Sequence, residues 1–338
     1  MHAGEQRSVD LPLPDLYTHS HMSMPVYVVH GREAGPRLFV SAAIHGDEIN
    51  GVEIIRRLVR TKYLKSLRGT LLAVPVVNPF GFINKSRYLP DRRDMNRSFP
   101  GNPQGSLAAQ IAHQFLEEVA CLCTHGIDLH AAAIGRTNLP QIRIHLGNND
   151  DPVIQGMATA FNAPVILNAG LRDGSLRKAA SERGVKVILY EAGEALRFDE
   201  IPIRAGVKGI LSVMRYLGML PGNKRQRIHG NGIEPLFSSS SSWVRASQSG
   251  ILRVATPMGH HVNNGDLLGH IANPFGGNEE TVHASTSGII IGRSTLPLVH
   301  KGEAIFHIAR IDAEGSAALS TLQQFQHEMD PDMENPFQ

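Results

Sequence analysis

His45 and Glu48 stand three residues apart in "AAIHGDEINGVEI" (42–54), where an apolar run gives way to a helical pattern. At such a transition the spacing can turn an imidazole and a carboxylate toward one point. The pair is a common chance pattern, and its bland alternative is a surface histidine beside a helix N-terminus, whose dipole favours Asp47 and Glu48 anyway. His130 changes the balance, because in "GIDLHAAA" (126–133) a histidine ends an otherwise apolar strand. Alone it would read as a hydrogen-bonded core residue. A hydrolytic zinc site needs about three nitrogen or oxygen ligands and an open position for water. His45, Glu48 and His130 supply that set for one Zn2+ per subunit. Asp128, on the same strand face as His130, is placed to orient an imidazole from outside the ligand set.

The remaining chemistry lies in two further stretches. "SRYLPDRRDMNRSFPG" (86–101) concentrates polar groups that are costly to bury unless an anion is bound, the alternative being a solvated basic loop. Asn96 and Arg97 can present an amide and a bidentate guanidinium to one carboxylate. Arg87, Arg92 and Arg93 offer a cation for a developing oxyanion. "VILYEAGE" (187–194) ends an apolar strand in Glu191, a candidate general base and acid. The alternative is a carboxylate that emerges at a strand edge, with Glu194 as a decoy. Arg172 and Arg177 could supply a second cation for a dianionic substrate or belong to a solvated helix face.

These residues need elements to hold them. Between about residues 37 and 220, β-branched runs alternate with helical patterns, the signature of an α/β fold with a mostly parallel, mixed sheet and helices on both faces. Strands are expected at "RLFVSAAI", "TLLAVPVV", "GIDLHAA", "QIRIHL", "PVILN" and "VKVILYEAG", and helices over 47–60, 105–120 and 203–219. His45, Asn78, His130 and Glu191 then fall at or just beyond strand C-terminal ends, where ligands gather in such sheets.

After Pro221 the texture changes through "PGNKRQRIHGNG" and "SSSSSW". The organisation expected is a catalytic α/β domain over 1–225, an all-β domain over 230–312, and a loosely ordered acidic tail over 313–338. In the β domain "ASQSGILRV" (246–254) returns as "ASTSGIIIG" (284–292), and "VNNGDLLGHIA" as "LVHKGEAIFHIA". This two-fold repeat resembles the half-repeats of biotinyl and lipoyl carrier domains. The intervening turn "NPFGGNEE" has no lysine to carry a cofactor, so the module is expected to cap the site or to join copies in a homo-oligomer.

Composition excludes several classes. With 42% hydrophobic and 19% charged residues and a net charge of +2, the chain calls for neither nucleic acid nor a membrane surface as partner. Cys121 and Cys123 fit neither a disulfide framework nor a zinc ribbon. The N-terminus lacks a basic region followed by an apolar one, and a cytoplasmic location is expected. His260 and His261 would point to opposite faces of a strand, and His125 lies in an expected turn.

The ordered set "HGDE", "RYLPDRRDMNR", "DLH" and "YEAGE" resembles the succinylglutamate desuccinylase and aspartoacylase family of zinc carboxypeptidase-like hydrolases, over about residues 35–310. The resemblance implies zinc on His45, Glu48 and His130, a substrate carboxylate on Asn96 and Arg97, and Glu191 as catalytic base and acid. It implies Arg87 for the oxyanion, with Arg92 or Arg93 as alternatives because this segment is about two residues longer than in the aspartoacylases. Its implied activity is removal of an acyl group from a small N-acyl amino acid. Competing readings are a carboxypeptidase-like metallopeptidase on the same metal and a metal-binding scaffold without catalysis. Acetylated diaminobutyrate, acyl aspartate and succinylated substrates all remain open.

Overall fold

The computed structural model describes residues 1–146, 151–222, 234–311 and 315–329. Its centre is four parallel strands in the spatial order β4 (Arg68–Val74), β3 (Glu33–Ala42), β5 (His125–Ala132) and β8 (Lys186–Glu194). Their apolar runs are continuous because both faces are covered. Along β3, Leu38 and Val40 enter the core on one side of the sheet and Phe39 the core on the other. The first core receives α1 (Asn50–Leu58), α4 (Pro152–Phe161), α6 (Glu200–Tyr216) and α7 (Gly315–Met329). The second receives α2 (Pro79–Asn84), α3 (Leu107–Glu118) and α5 (Leu176–Glu182). α3 shows the local logic: Ser106 caps it by accepting from the Ala109 N–H, while Ile111, Ala112, Phe115 and Leu116 form its buried stripe.

On one side an antiparallel hairpin, β1 (Gln6–Pro12) and β2 (Ser23–His30), extends the sheet beyond β4. On the other, β6 (Arg136–Ile144) runs antiparallel to β8 and carries β7 (Val165–Asn168), which in turn pairs with β9 (Leu236–Ser238). Among the described residues no helix is long and apolar enough to cross a membrane.

The C-terminal β region is built into this sheet. β15 (Gly288–Ser294) pairs with β6, β17 (Ala304–Arg310) with β15, and β10 (Ser240–Arg245) with β17. A second sheet holds β14 (Glu280–His283), β13 (Leu267–Ala272), β11 (Gly250–Val254) and β16 (Leu298–Val299). The two echoing segments pair reciprocally: β16 lies on β11 with Gly250 opposite Val299, and β12 (His261–Val262) lies on β15 with Gly288 opposite Val262. At the junction with β6, a Cβ on Gly292 would sit 2.8 Å from Asn138 Oδ1 and 3.4 Å from His307 Cβ. Glycine there lets both side chains close over the seam.

Two expectations meet the structure differently. The boundary between 225 and 230 lies outside the described residues. The tail is corrected over 315–329, which form α7 with Leu322, Phe325 and Met329 buried. Residues 330–338, which carry the acidic and proline-rich composition behind that expectation, lie outside the described residues.

Phe325→Ala should therefore destabilise the protein by about 3–5 kcal/mol, read from the denaturant midpoint, whereas an undocked tail would show no change. α1 is further clasped to α6 by Arg57, which donates to Glu53 at 2.7 Å and to both oxygens of Glu200 at 2.6 and 2.8 Å. Hydrogen bonding from Arg56, helped by Arg57, holds the Glu53 carboxyl down at about 2. A depressed carboxyl stabilises the fold above its unfolded value and loses that stabilisation as pH falls toward about 2. Between pH ~5 and ~2.5 the wild type should lose about 1–2 kcal/mol more stability than Glu53→Gln, after allowance for screening of the exposed arginines.

Candidate active site

β3 ends at Ala42 and α1 begins at Asn50, so His45 and Glu48 occupy the turn between them. The turn passes so close to α2 that a Cβ on Gly46 would lie 1.9 Å from the Gly81 carbonyl carbon, which only glycine avoids. β5 lies beside β3 and delivers His130 at the same end of the sheet. The parallel register of β5 and β8 sets Glu191 directly opposite His130. Adjacent parallel strands thus bring residues far apart in sequence to one edge.

The side chains of His45, Glu48 and His130 converge with ligand atoms within 4.8 Å of one another, all buried. His45 Nδ1 faces Glu48 Oε1 at 2.6 Å, and His130 Nδ1 faces Glu48 Oε2 at 2.7 Å. The opposite ring nitrogens donate outward, His45 Nε2 to Asp94 at 3.1 Å and His130 Nε2 to Asp128 at 2.9 Å. Ser41 Oγ donates to the other Asp128 oxygen at 2.8 Å. Each ring thus meets a carboxylate oxygen at both nitrogens; Asp94 and Asp128 engage the Nε2 atoms, which leaves the two Nδ1 atoms as the ones that could turn to a cation beside Glu48. Burial opposes charge on His130, yet Asp128 and Glu48 outweigh it and hold its pKa well above the ordinary value. Burial likewise pushes Glu48 up, and the two imidazoles more than offset it, so Glu48 is held well below the usual carboxylate range. The pocket thus gathers two imidazoles and a carboxylate that could together hold a metal ion. Two nitrogens and a carboxylate match the donor set of a divalent zinc.

Arg87 closes the near side. Its Nη1 lies 3.2 Å from His45 Nδ1 and 3.3 Å from Glu48 Oε1, while Nη2 and Nε donate to Asp94 at 2.9 and 3.1 Å. Asp94 therefore joins the arginine to one of the candidate ligands. Arg92 and Arg93 are exposed and do not line the cavity. Asn96 and Arg97 do line it. Asn96 Oδ1 accepts from the Leu176 N–H at the start of α5, and Arg97 Nη1 donates to the Asn96 carbonyl at 2.6 Å.

All of these groups except Arg92 and Arg93 border, directly or through one contact, a cavity of about 720 Å³. Glu191 lines it, held by Asn138 Nδ2 at 2.8 Å and facing Arg143 Nη1 at 3.4 Å, both from β6. The far wall comes from the C-terminal strands. The rings of Trp243 and His307 stack at 4.4 Å and 6°, with the Arg136 guanidinium 5.2 Å from the Trp243 ring. Burial, reinforced by Arg143, pulls His307 down to about 3, so this imidazole is neutral. Its Nε2 meets Ser241 Oγ at 2.8 Å.

Other candidates fall elsewhere. Glu194 accepts from the Gly135 N–H at 3.0 Å and from Thr295 at 3.2 Å, tying two loops together. Burial pushes the Cys123 thiol up to about 12, which removes it as a nucleophile. Among the described residues His45, Glu48 and His130 are the group that could hold a metal, and neither His260 nor His261 joins another. Sequence reasoning missed Asp94, Asn138, Arg143, Trp243 and His307. Asp94 had a usable signal in its place two residues before Asn96; the others reach the site through strand pairing.

Comparison with known proteins agrees with this architecture. The model of the succinylglutamate desuccinylase/aspartoacylase catalytic domain matches residues 34–217, more than half of the chain. An N-alpha-acetyl-L-2,4-diaminobutyric acid deacetylase of Halomonas elongata is 25% identical over 295 residues, covering 85% of this chain and 86% of that protein. The fold superposes on a succinylglutamate desuccinylase/aspartoacylase of Rhodobacter sphaeroides with a TM-score of 0.79 at 22% identity, covering 91% of this chain and 95% of the other. The product-bound ectoine utilization protein EutE of Ruegeria pomeroyi gives 0.80 at 24% identity, covering 90% and 94%. With the catalytic-domain model spanning the sheet that carries the site, this chain belongs to the succinylglutamate desuccinylase/aspartoacylase family.

Proposed function

We propose that the chain is a zinc-dependent amidohydrolase that removes the acyl group from a small N-acyl amino acid. Its family places it among the hydrolases of linear amide bonds. The observation that carries the zinc reading is the inward pair of Nδ1 atoms on either side of Glu48, with both Nε2 atoms committed to carboxylates. His45, Glu48 and His130 would hold the ion. When bound, zinc supplies Lewis acidity that lowers the pKa of water and polarises a carbonyl.

The chain's own groups account for the rest. Glu191, oriented by Asn138, accepts the proton of the attacking water and returns it to the departing amine. Arg87, steadied by Asp94, directs Nη1 toward the ligand cluster, where it donates to the oxyanion that develops on the substrate carbonyl. Asn96 and Arg97 receive the substrate carboxylate in the cavity, a guanidinium and an amide acting on one anion. Trp243 and His307 line the same cavity, which supports a short acylated amino acid over an extended peptide.

Glu191→Gln should retain one zinc per chain while amine release from acyl amino acids falls by about 10²–10⁴-fold; unchanged turnover would remove Glu191 from the mechanism. Asp128→Asn leaves His130 in place but weakens the acceptor that fixes its ring. Zinc affinity, measured by competition with a chelating dye, should fall about 10–100-fold, and an unaltered affinity would show that the Asp128 contact does not orient a ligand.

A further inference from the structure

The strand that carries Glu191 breaks its regular pairing immediately after it. His130 on β5 lies opposite Glu191, but Ala132 lies opposite Glu194, so Ala192 and Gly193 of β8 both stand against Ala131. Such a bulge leaves an extra residue outside the ladder and re-aims the side chains around it. Gly193 takes a φ of +74°, and a Cβ there would lie 2.4 Å from Asp199 Oδ2 and 2.5 Å from Asn50 Nδ2. Glycine is required both by the backbone and by what packs on it.

What packs on it comes from the starts of two helices. Asn50, the first residue of α1 and 1% exposed, donates from Nδ2 to the Ala192 carbonyl at 3.3 Å and accepts at Oδ1 from the Asp199 N–H at 3.0 Å. Asp199 stands at the N-cap of α6, where an aspartate ordinarily accepts from its own helix. It makes no such bond, and its Oδ2 accepts instead from the Glu194 N–H at 3.2 Å. Both side chains are thus committed to the bulge and its flanks. The stretch is held further by the Ala195 N–H on the Ala132 carbonyl and the Leu196 N–H on the Asp47 carbonyl, both at 2.8 Å.

Asn50 follows Glu48 by two residues, and Ala192 follows Glu191 directly. One buried amide therefore bridges the turn that bears a candidate metal ligand and the residue after the candidate base. Resting on the deacylase reading above, we propose that Asn50 is a positioning residue: it holds the bulge of β8 against the turn of His45 and Glu48 and thereby fixes the distance from the Glu191 carboxylate to the metal site. Asp199 is the second arm of the clasp. An apolar side chain of similar size would fill the space, yet it would leave the Ala192 carbonyl and the Asp199 N–H without these partners and the bulge free to shift.

Asn50→Asp keeps the shape and the acceptor for the Asp199 N–H but sets a carboxylate oxygen against the Ala192 carbonyl. Zinc content, zinc affinity and KM should stay within about 2-fold of the wild type while kcat on its best N-acetyl amino acid falls about 10–100-fold, the pattern of a displaced reacting group. The thioester of the matching 2-mercapto acid releases a thiolate that needs no proton, so its kcat should fall at least about 5-fold less than that of the amide. Asp199→Ala, which removes no helix cap, should give the same split and decides the matter if Asn50→Asp does not fold. An unchanged kcat, equal losses on amide and thioester, or loss of zinc along with activity overturns the inference. Backbone hydrogen exchange of the metal-free protein supplies a readout apart from turnover: residues 190–199 should exchange about 10-fold faster in either variant while β3 keeps its protection. No change there, or a uniform change across the chain, also overturns it. If the wild type releases amine from no acyl amino acid, the deacylase reading falls, and the exchange result still decides whether Asn50 holds the bulge.

Discussion

Two imidazole lone pairs and a carboxylate set face to face in a dry interior repel one another unless positive charge lies between them. In this protein Asp94 and Asp128 engage the Nε2 edges of the His45 and His130 rings, and both Nδ1 atoms are turned inward to Glu48. Ser41 holds Asp128, Arg87 holds Asp94, and the Ala131 N–H donates to Glu48 at 3.0 Å. Ser41, Asp128 and Ala131 sit on β3 and β5, and Arg87 and Asp94 on the segment between α2 and α3, so sheet and loop together fix the cluster. Such a donor set, expensive to assemble and of no use to folding by itself, is intelligible as a metal centre.

The same sheet gives the site its second half. Because β6 pairs with β15, β15 with β17 and β17 with β10, the C-terminal β region is continuous with the central sheet, which brings His307 and Trp243 to the cavity. Gly292 at the seam makes room for that approach. The C-terminal strands thus supply part of the cavity wall, through Ser240, Ser241, Ser242, Trp243 and His307.

Much of this was legible in the sequence wherever a signal was local. The strands and helices between 37 and 220 could be read because consecutive buried positions leave unbroken apolar runs, and His45, His130 and Glu191 stood out because each ends such a run. The β1–β2 hairpin was not legible, since β1 exposes most of its positions and lacks an apolar stripe. Arg143 and Asn138 looked like ordinary strand residues; their importance comes from pairing with β8, which composition does not reveal. Arg92 and Arg93 were equivalent to Arg87 as residue types, and only the chain's path through Asp94 separates the one that reaches the cluster from the two that face solvent. α7 was obscured by the acidic stretch that follows it.

The central claim, that His45, Glu48 and His130 form one zinc centre, is open to X-ray absorption at the zinc edge on protein loaded with one equivalent of metal. The account predicts a first shell of two imidazole nitrogens and carboxylate or water oxygens, without sulfur, and loss of one imidazole contribution in His130→Ala. A shell containing cysteine sulfur, or a spectrum unchanged by that substitution, would contradict it.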